Sequence, residues 1–290
     1  MKQRAYAKIN LSLDVVGKRE DGYHLLESVF QGVSLYDDVR VEREEGNGGI
    51  RITCNLPYIP TDERNIVHKV ATTFFKAAGI EEYQIHIDLN KVIPSGAGMG
   101  GGSADGAAVF SALCRLYNVS FPVEEATKLL VPLGADIPFF LHSGTMLAKG
   151  VGEILTPAPK MPDYYIVLAK PKASASTKEI FGLLKEVGIP RHPDTQGVLR
   201  ALETADLPLL AASAGNVLEN ATILLCPQIG ELKQILSDKG AALALMTGSG
   251  STVFGIFDNE KAARKAMQPL RELTPNVYLT RPVCRPMRTE

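Results

Sequence analysis

Thirteen consecutive positions, Pro94 to Gly106 (PSGAGMGGGSADG), hold six glycines, and of the whole 290-residue sequence this run has the composition best suited to chemistry. Glycine loses more backbone freedom on ordering than any other residue, so this density works against both helix and strand. What it permits is close approach of backbone N–H groups to an anion. A small-residue helix is expected from Ser103 to Tyr117, with Ala104, Ala108, Ala112 and Leu116 on one stripe. The loop then ends on a helix N-terminus, where orphan donors and the helix dipole both favour phosphate.

The type of phosphate loop is narrowed by its neighbours. No Lys precedes Ser103, so the Walker pattern fails. Gly96, Gly98 and Gly101 satisfy GxGxxG, but a dinucleotide site needs an apolar parallel strand running into the first glycine and an acid ending the next strand. Here Lys91 and Pro94 lead in, the preceding strand alternates, and Glu124 and Glu125 fall on a helical stretch. The remaining alternatives are a phosphate loop of another kind and a flexible surface loop.

Phosphoryl transfer needs positive charge near the moving group and a residue to orient or deprotonate the acceptor hydroxyl. Lys8 and Asp136 are the candidates. Each also has an ordinary explanation: Lys8 as a solvated strand residue, and Asp136, in LGADIPFF, as the N-cap of a helix with Pro in its first turn. Only their company with the glycine loop singles them out. A second glycine cluster, Thr247 to Gly255 (TGSGSTVFG), reads as a hairpin turn between two apolar runs. Tyr23 and His24 follow a tight turn and offer either a core aromatic and a surface histidine, or a stacking face and a hydrogen-bonding edge for a planar base. His24, His68, His86, His142 and His192 are scattered, without HExxH or a carboxylate cluster, so no protein-held metal is assigned.

The elements that must position these groups follow from periodicity. Ala7 to Val15 alternates strictly, with Lys8, Asn10, Ser12 and Asp14 on one face, and predicts a half-buried strand. Further strands are expected at Val33–Val41, Ile50–Cys54, Gln84–Leu89, Tyr164–Ala169, Ala242–Met246, Val253–Phe257 and Asn276–Leu279. Helices are expected at Asn65–Ala78, Ser103–Tyr117, Glu124–Leu133, Thr177–Glu186, Leu218–Leu225, Gln228–Lys239 and Glu260–Leu270. Strands and helices mix throughout, so both halves are α/β or α+β. The Pro-rich stretch Thr156–Pro162 marks the expected domain boundary.

Composition is that of an ordinary globular protein: 45% apolar, 22% charged, and 31 Lys+Arg against 32 Asp+Glu for a net charge of -1. At roughly 100–200 residues per domain the length favours two domains. Near-neutral charge argues against a nucleic-acid partner, and no apolar run reaches the roughly 18 residues of a membrane span. The four cysteines are widely spaced and read as buried thiols in a reducing compartment. With no leader-like segment at the start, a cytoplasmic location is expected.

Three stretches together, AKINLSLDVVGKREDGYH, PSGAGMGGGSADGAA and LMTGSGSTVFGIF, resemble the GHMP kinase superfamily, essentially end to end. The added combination of LGADIPFF and GVGEIL is most similar to the branch acting on a cytidyl-linked methylerythritol. That resemblance implies a two-domain kinase, with residues 1–158 like the second domain of ribosomal protein S5 and 159–290 ferredoxin-like, and the site between them. It implies transfer of the ATP γ-phosphate to the 2-hydroxyl of the cytidyl substrate, in the non-mevalonate route to isoprenoid precursors, with Mg²⁺ accompanying ATP. Lys8 and Asp136 become the catalytic pair, Lys8 offsetting negative charge in the transition state and Asp136 orienting or deprotonating the hydroxyl. Pro94, Ser95, Gly96, Ala97, Gly98 and Met99, then Gly100, Gly101, Gly102, Ser103 and Ala104, would wrap the triphosphate, with the Ser103 hydroxyl near Mg²⁺. Asn65 and Lys91 match positions beside adenine and ribose. Tyr23, His24 and Phe181 match a cytosine-binding set, and Asn10 lies where it would reach the substrate. The Thr177–Phe181 stretch matches more loosely than the rest. Alternatives are a homoserine or mevalonate acceptor, or a non-catalytic nucleotide binder on the same fold.

Overall fold

The alternating residues at the start of the chain form two long antiparallel strands, β1 (Lys2–Lys18) and β2 (His24–Arg43), paired along their lengths with register shifts after Tyr6, Asn10 and Val15. The computed structural model describes residues 1–20, 22–46, 48–142, 144–173 and 176–284; Asp21 of the DGYH motif lies outside them. The second half of β2 also pairs with β4 (Gln84–Asn90), which takes β3 (Gly49–Cys54) in parallel on its far side. Its first half pairs instead with β5 (Thr145–Gly150), which turns back into β6 (Ile154–Pro157). By serving both neighbours, β2 opens a fork in the seven-stranded sheet.

Four helices, α1 (Ile66–Ala78), α2 (Gly101–Tyr117), α3 (Val123–Leu130) and α4 (Ile137–His142), accompany this sheet. Their shared core includes Val70, Phe74, Phe110, Ile85, Ile87 and Phe139. Residues 104–114 of α2 are all buried, which accounts for its alanine-rich composition: small side chains let neighbours pack closely on every side.

A second, antiparallel sheet has the order β11 (Asn276–Thr280), β7 (Tyr165–Lys170), β10 (Val253–Phe257), β9 (Leu243–Met246). Helices α5 (Thr177–Val187), α8 (Glu219–Leu225), α9 (Gln228–Asp238) and α10 (Glu260–Leu273) border it, with Ile180, Leu232 and Leu270 packed against Val167 and Phe257. Two helices, α6 (Thr195–Thr204) and α7 (Leu207–Ser213), contribute Val198, Leu202 and Leu210 to a core shared with Ile9 and Leu11 of β1 and Ile166 and Phe254 of the second sheet. A two-residue strand, β8 (Gly215–Asn216), pairs in parallel with β1.

Some sequence expectations change here. β1 is not half-buried: Ala7 through Asp14 are all buried, because the apolar face meets the second sheet's core and the polar face is closed over by loops. The glycine-loop helix begins at Gly101, two residues earlier than expected. Strands β5 and β6 and helices α6 and α7 had no counterpart in the pattern reading. Among the described residues, no helix is long and apolar enough to cross a membrane.

Candidate active site

The segment between β4 and α2 is held from two sides. On one, the Lys8 backbone N–H donates to Met99 O at 3.0 Å, so β1 grips the loop by its main chain. On the other, the hairpin between β9 and β10 supplies Thr252 N to Ala97 O at 3.3 Å and Thr247 Oγ1 to Gly98 O at 3.4 Å. Gly96, Gly98 and Gly100 have φ of 60°, 72° and 70°, a region costly for residues bearing Cβ. A Cβ on Gly248 would lie 2.8 Å from Gly98 O, so the two glycine loops meet at a distance side chains would forbid. The second glycine cluster is therefore a hairpin, as expected, and also the clamp on the first. Helix α2 starts from Gly100 with no side-chain cap. Among the described residues no side chain caps its first-turn N–H groups, which leaves them as donors suited to an anion.

Lys8 and Asp136 come together beside this loop, with Nζ and Oδ2 3.5 Å apart. Lys8 is only 4% exposed, which overturns its reading as a solvated strand residue. Its ammonium also donates to Asn10 Oδ1 at 2.8 Å and lies 4.5 Å from the centre of the Phe30 ring. Asp136 immediately precedes α4 and remains partly exposed. Asn10 is more than a substrate-facing residue: its Oδ1 accepts from Thr247 Oγ1 at 3.0 Å and from Gly248 N at 2.9 Å, while Nδ2 donates to Ser28 Oγ at 2.8 Å. It pins the hairpin clamp to β1.

Two cavities meet on the glycine loop. One, of about 330 Å³, is lined by Lys8, Asn10, Asp136, Thr177, Phe181 and Ser249, among others. The other, of about 430 Å³, is lined by Ile59, Pro60, Asn65, Lys91, Ser103 and most of the loop. Gly96, Gly98 and Gly100 belong to both, so a chain of phosphates lying over the loop would pass from the second cavity toward Lys8 and Asp136.

Asn65 caps α1, accepting from Val67 N at 3.1 Å and donating to Pro60 O at 2.6 Å; this holds the apolar Ile59–Pro60 wall of the second cavity in place. The Lys91 ammonium is turned to the buried carboxylates of Asp37 and Asp105. Of the aromatic set, His24 and Phe181 stack, with centroids 4.5 Å apart and planes 17° from parallel. Burial, reinforced by Lys18 and Lys185, holds the His24 imidazole below its ordinary pKa and favours the neutral ring. Tyr23 stands apart, 64% exposed, in a separate recess with Arg19, Leu133 and Val151. Sequence reasoning missed Asp37, Thr247 and Ser249. Thr247 and Ser249 carried a signal in the TGSGST run; Asp37 carried none.

The fold and the site define a small-molecule phosphotransferase of the GHMP kinase type. The model for the GHMP kinases N terminal domain matches residues 65–144, and that for the GHMP kinases C terminal matches residues 198–276. The 4-diphosphocytidyl-2-C-methyl-D-erythritol kinase of Clostridium novyi (strain NT) is 41% identical over 280 residues, covering 97% of this chain and 99% of the relative. Its counterpart from Lachnospira eligens is 43% identical over 272 residues, 93% of each. A crystal structure of 4-(cytidine 5'-diphospho)-2C-methyl-D-erythritol kinase has a TM-score of 0.83 at 32% identity, covering 97% of this chain and 99% of that one. A homoserine kinase from Cytophaga hutchinsonii shares the fold, with a TM-score of 0.76 at 21% identity over 97% of this chain and 94% of that one. The chain belongs to the GHMP kinases, ATP-dependent kinases of small molecules, and within them to the 4-diphosphocytidyl-2-C-methyl-D-erythritol kinase family.

Proposed function

We propose that this chain transfers the γ-phosphate of ATP to the 2-hydroxyl of 4-diphosphocytidyl-2-C-methyl-D-erythritol, a step of the non-mevalonate route to isoprenoid precursors. The observation that carries the site reading is the Lys8–Asp136 pair standing where two cavities share one phosphate loop. The cavity walled by Ile59, Pro60 and Asn65 takes the adenosine, Pro94 to Ala104 takes the triphosphate, and the cavity containing Asp136 takes the acceptor. The division of labour follows the chain, residues 1–158 binding ATP and residues 159–290 completing the site with Phe181 and the Thr247–Gly250 clamp.

Asp136 orients the acceptor hydroxyl or takes its proton. Lys8, buried and held by Asn10, offsets the negative charge that gathers on the equatorial oxygens during transfer, in surroundings where that charge is weakly screened. The uncapped N–H groups of Gly101, Gly102 and Ser103 bind phosphate oxygens without the solvent reorganisation that mobile side chains would require. Among the described residues no three His, Cys, Asp or Glu side chains cluster. The Ser103 hydroxyl, a hard oxygen donor at the loop's exit, fits Mg²⁺, which is commonly held by one or two protein groups and substrate phosphates. Ser103 is the residue that would hold it, and the chemistry it would supply is neutralisation of phosphate charge. At the acceptor's far end, Phe181 offers a stacking face, and a neutral His24 offers one donor and one acceptor, the complement of a cytosine edge. The setting for the reaction is cytoplasmic; of the cysteines expected to be buried thiols, Cys114 and Cys226 are buried, whereas Cys54 is half-buried and Cys284 exposed.

Competition separates this acceptor from others of the same superfamily. CDP should inhibit competitively against the acceptor and leave the KM for ATP unchanged. Inhibition by homoserine or mevalonate, with CDP inert, would contradict the cytidyl assignment.

A further inference from the structure

Beneath the phosphate loop lies a buried triplet of charges that the mechanism above does not use. Asp37, on β2, is fully buried, and Asp105, in the second turn of α2, is 3% exposed. Both carboxylates accept from the Lys91 ammonium, which sits just past the end of β4. The other Asp37 oxygen, Oδ1, accepts from the backbone N–H of Val92 and, at 2.8 Å, of Ile93. One side chain therefore holds three consecutive residues, Lys91 to Ile93, directly ahead of Pro94.

The arrangement ties both ends of the loop to one point. Lys91–Ile93 is the loop's entry, and Asp105 lies two residues beyond Ser103 at its exit. The glycines between them supply little rigidity of their own. Burying two carboxylates around one ammonium is weak evidence for stability, since a well-packed apolar trio often does as well or better. What such a cluster fixes is geometry. Burial pushes the Asp105 carboxyl up, opposed by Lys91, and its buried Oδ1 has no hydrogen-bond partner among the described residues; both residues line the second cavity. An ammonium has three N–H donors, and two of those on Lys91 are taken by the carboxylates.

We propose that Asp37 and Asp105 are positioning residues for nucleotide binding, holding the entry and exit of the phosphate loop through Lys91 and directing the remaining Lys91 N–H into the nucleotide cavity. This rests on the assignment of that cavity to ATP. Asn at position 37 keeps the shape and the oxygen that receives Val92 and Ile93, and replaces the charged acceptor that holds Lys91 with an amide NH2 donor.

The test is titration of ADP and a non-hydrolysable ATP analogue into wild type, Asp37→Asn, Asp105→Asn, Lys91→Met and the Asp37→Asn/Lys91→Met double variant, with steady-state kinetics on each. Nucleotide Kd and the KM for ATP should rise about tenfold or more in both Asp variants, the usual scale for groups that orient a binding residue. The KM for the acceptor should stay near wild type. Asp37→Asn should add little in the Lys91→Met background, since a residue acting through another is not additive with it. Unchanged nucleotide affinity in both Asp variants, equal rises in both KM values, or full additivity in the double variant would overturn the positioning role. Failure of the wild type itself to bind ADP would overturn the cavity assignment and the inference with it. Asp105→Asn keeps the test open should Asp37→Asn not fold.

Discussion

Gly100→Ala is expected to cost more in catalysis than in stability. Gly100 has φ 70° and stands at the mouth of α2, shared by both cavities. A Cβ there would lie 2.6 Å from Phe140 Cζ and 2.9 Å from Cε2, against the 3.4 Å at which ordinary contact begins. Phe140 is 2% exposed and part of the first core, and a packed interior does not yield easily. The loop must therefore give way by about 0.8 Å, in the region proposed to hold the phosphates near Lys8 and Asp136. A misplacement of about 1 Å can cost on the order of a hundredfold in rate, or roughly 2.7 kcal/mol of barrier at 1.36 kcal/mol per decade. The left-handed conformation adds roughly 1–2 kcal/mol of strain for alanine, a fall in Tm of several degrees at about 2–4 °C per kcal/mol. The assay is coupled ADP release at saturating substrates, beside a thermal melt. As a control, Gly230→Ala on α9 meets nothing within 4 Å; it should keep full activity and gain up to about 1 kcal/mol from helix propensity. A Gly100→Ala enzyme with kcat within twofold of wild type would refute the claim that this backbone geometry carries catalysis.

Other expectations follow from the same geometry. Lys8→Ala should lower kcat by about a hundredfold or more while KM for ATP moves little, as for removal of a transition-state donor; a melting temperature that falls in proportion would mark a structural role instead. Phe181→Ala should raise the KM for the cytidyl acceptor about tenfold, the scale of a lost aromatic contact with its burial, and leave the KM for ATP alone, as initial-rate kinetics would reveal. Burial holds His142, the last residue of α4, below its ordinary value of 6.5. Between that lowered value and 6.5 the unfolded chain binds a proton that the folded one does not, so stability is complete above pH 6.5 and declines as pH falls through this window. Urea melts at pH 7.5 and 5.0 should show a larger acid loss in wild type than in His142→Gln, and equal losses would contradict the assignment.

What was readable from residue types was whatever depends on local chain properties. The crowding of glycine between Pro94 and Gly106 marked a backbone that must approach something closely, and the 3.6-residue spacing after it placed a helix start to within two residues. Lys8 and Asp136 each had an ordinary reading as strand residue and helix cap and became a pair through the family resemblance, and 128 positions of sequence separate two groups that lie 3.5 Å apart. Asp37 was illegible because an acid within an alternating strand looks the same whether it faces solvent or Lys91. The polar face of β1 read as exposed for a related reason: alternation distinguishes two faces and does not say what covers them, and here a phosphate loop and a hairpin from far along the chain do. Strand β5 was missed because its pairing with the first half of β2 is a long-range event, and β6 pairs only with β5. Helices α6 and α7 are short, and each is started by a capping Asp whose signal resembles that of any turn.

Asp136 and Lys8 are proposed to act on a hydroxyl of the cytidyl acceptor. The direct measurement is ³¹P NMR of a reaction containing the protein, Mg-ATP and 4-diphosphocytidyl-2-C-methyl-D-erythritol, run in parallel with Asp136→Ala. A new phosphomonoester resonance on the acceptor, growing in step with ADP and absent in the folded Asp136→Ala variant, is the predicted result. ADP formed with the acceptor unmodified, or the same phosphomonoester formed at full rate by Asp136→Ala, would contradict it.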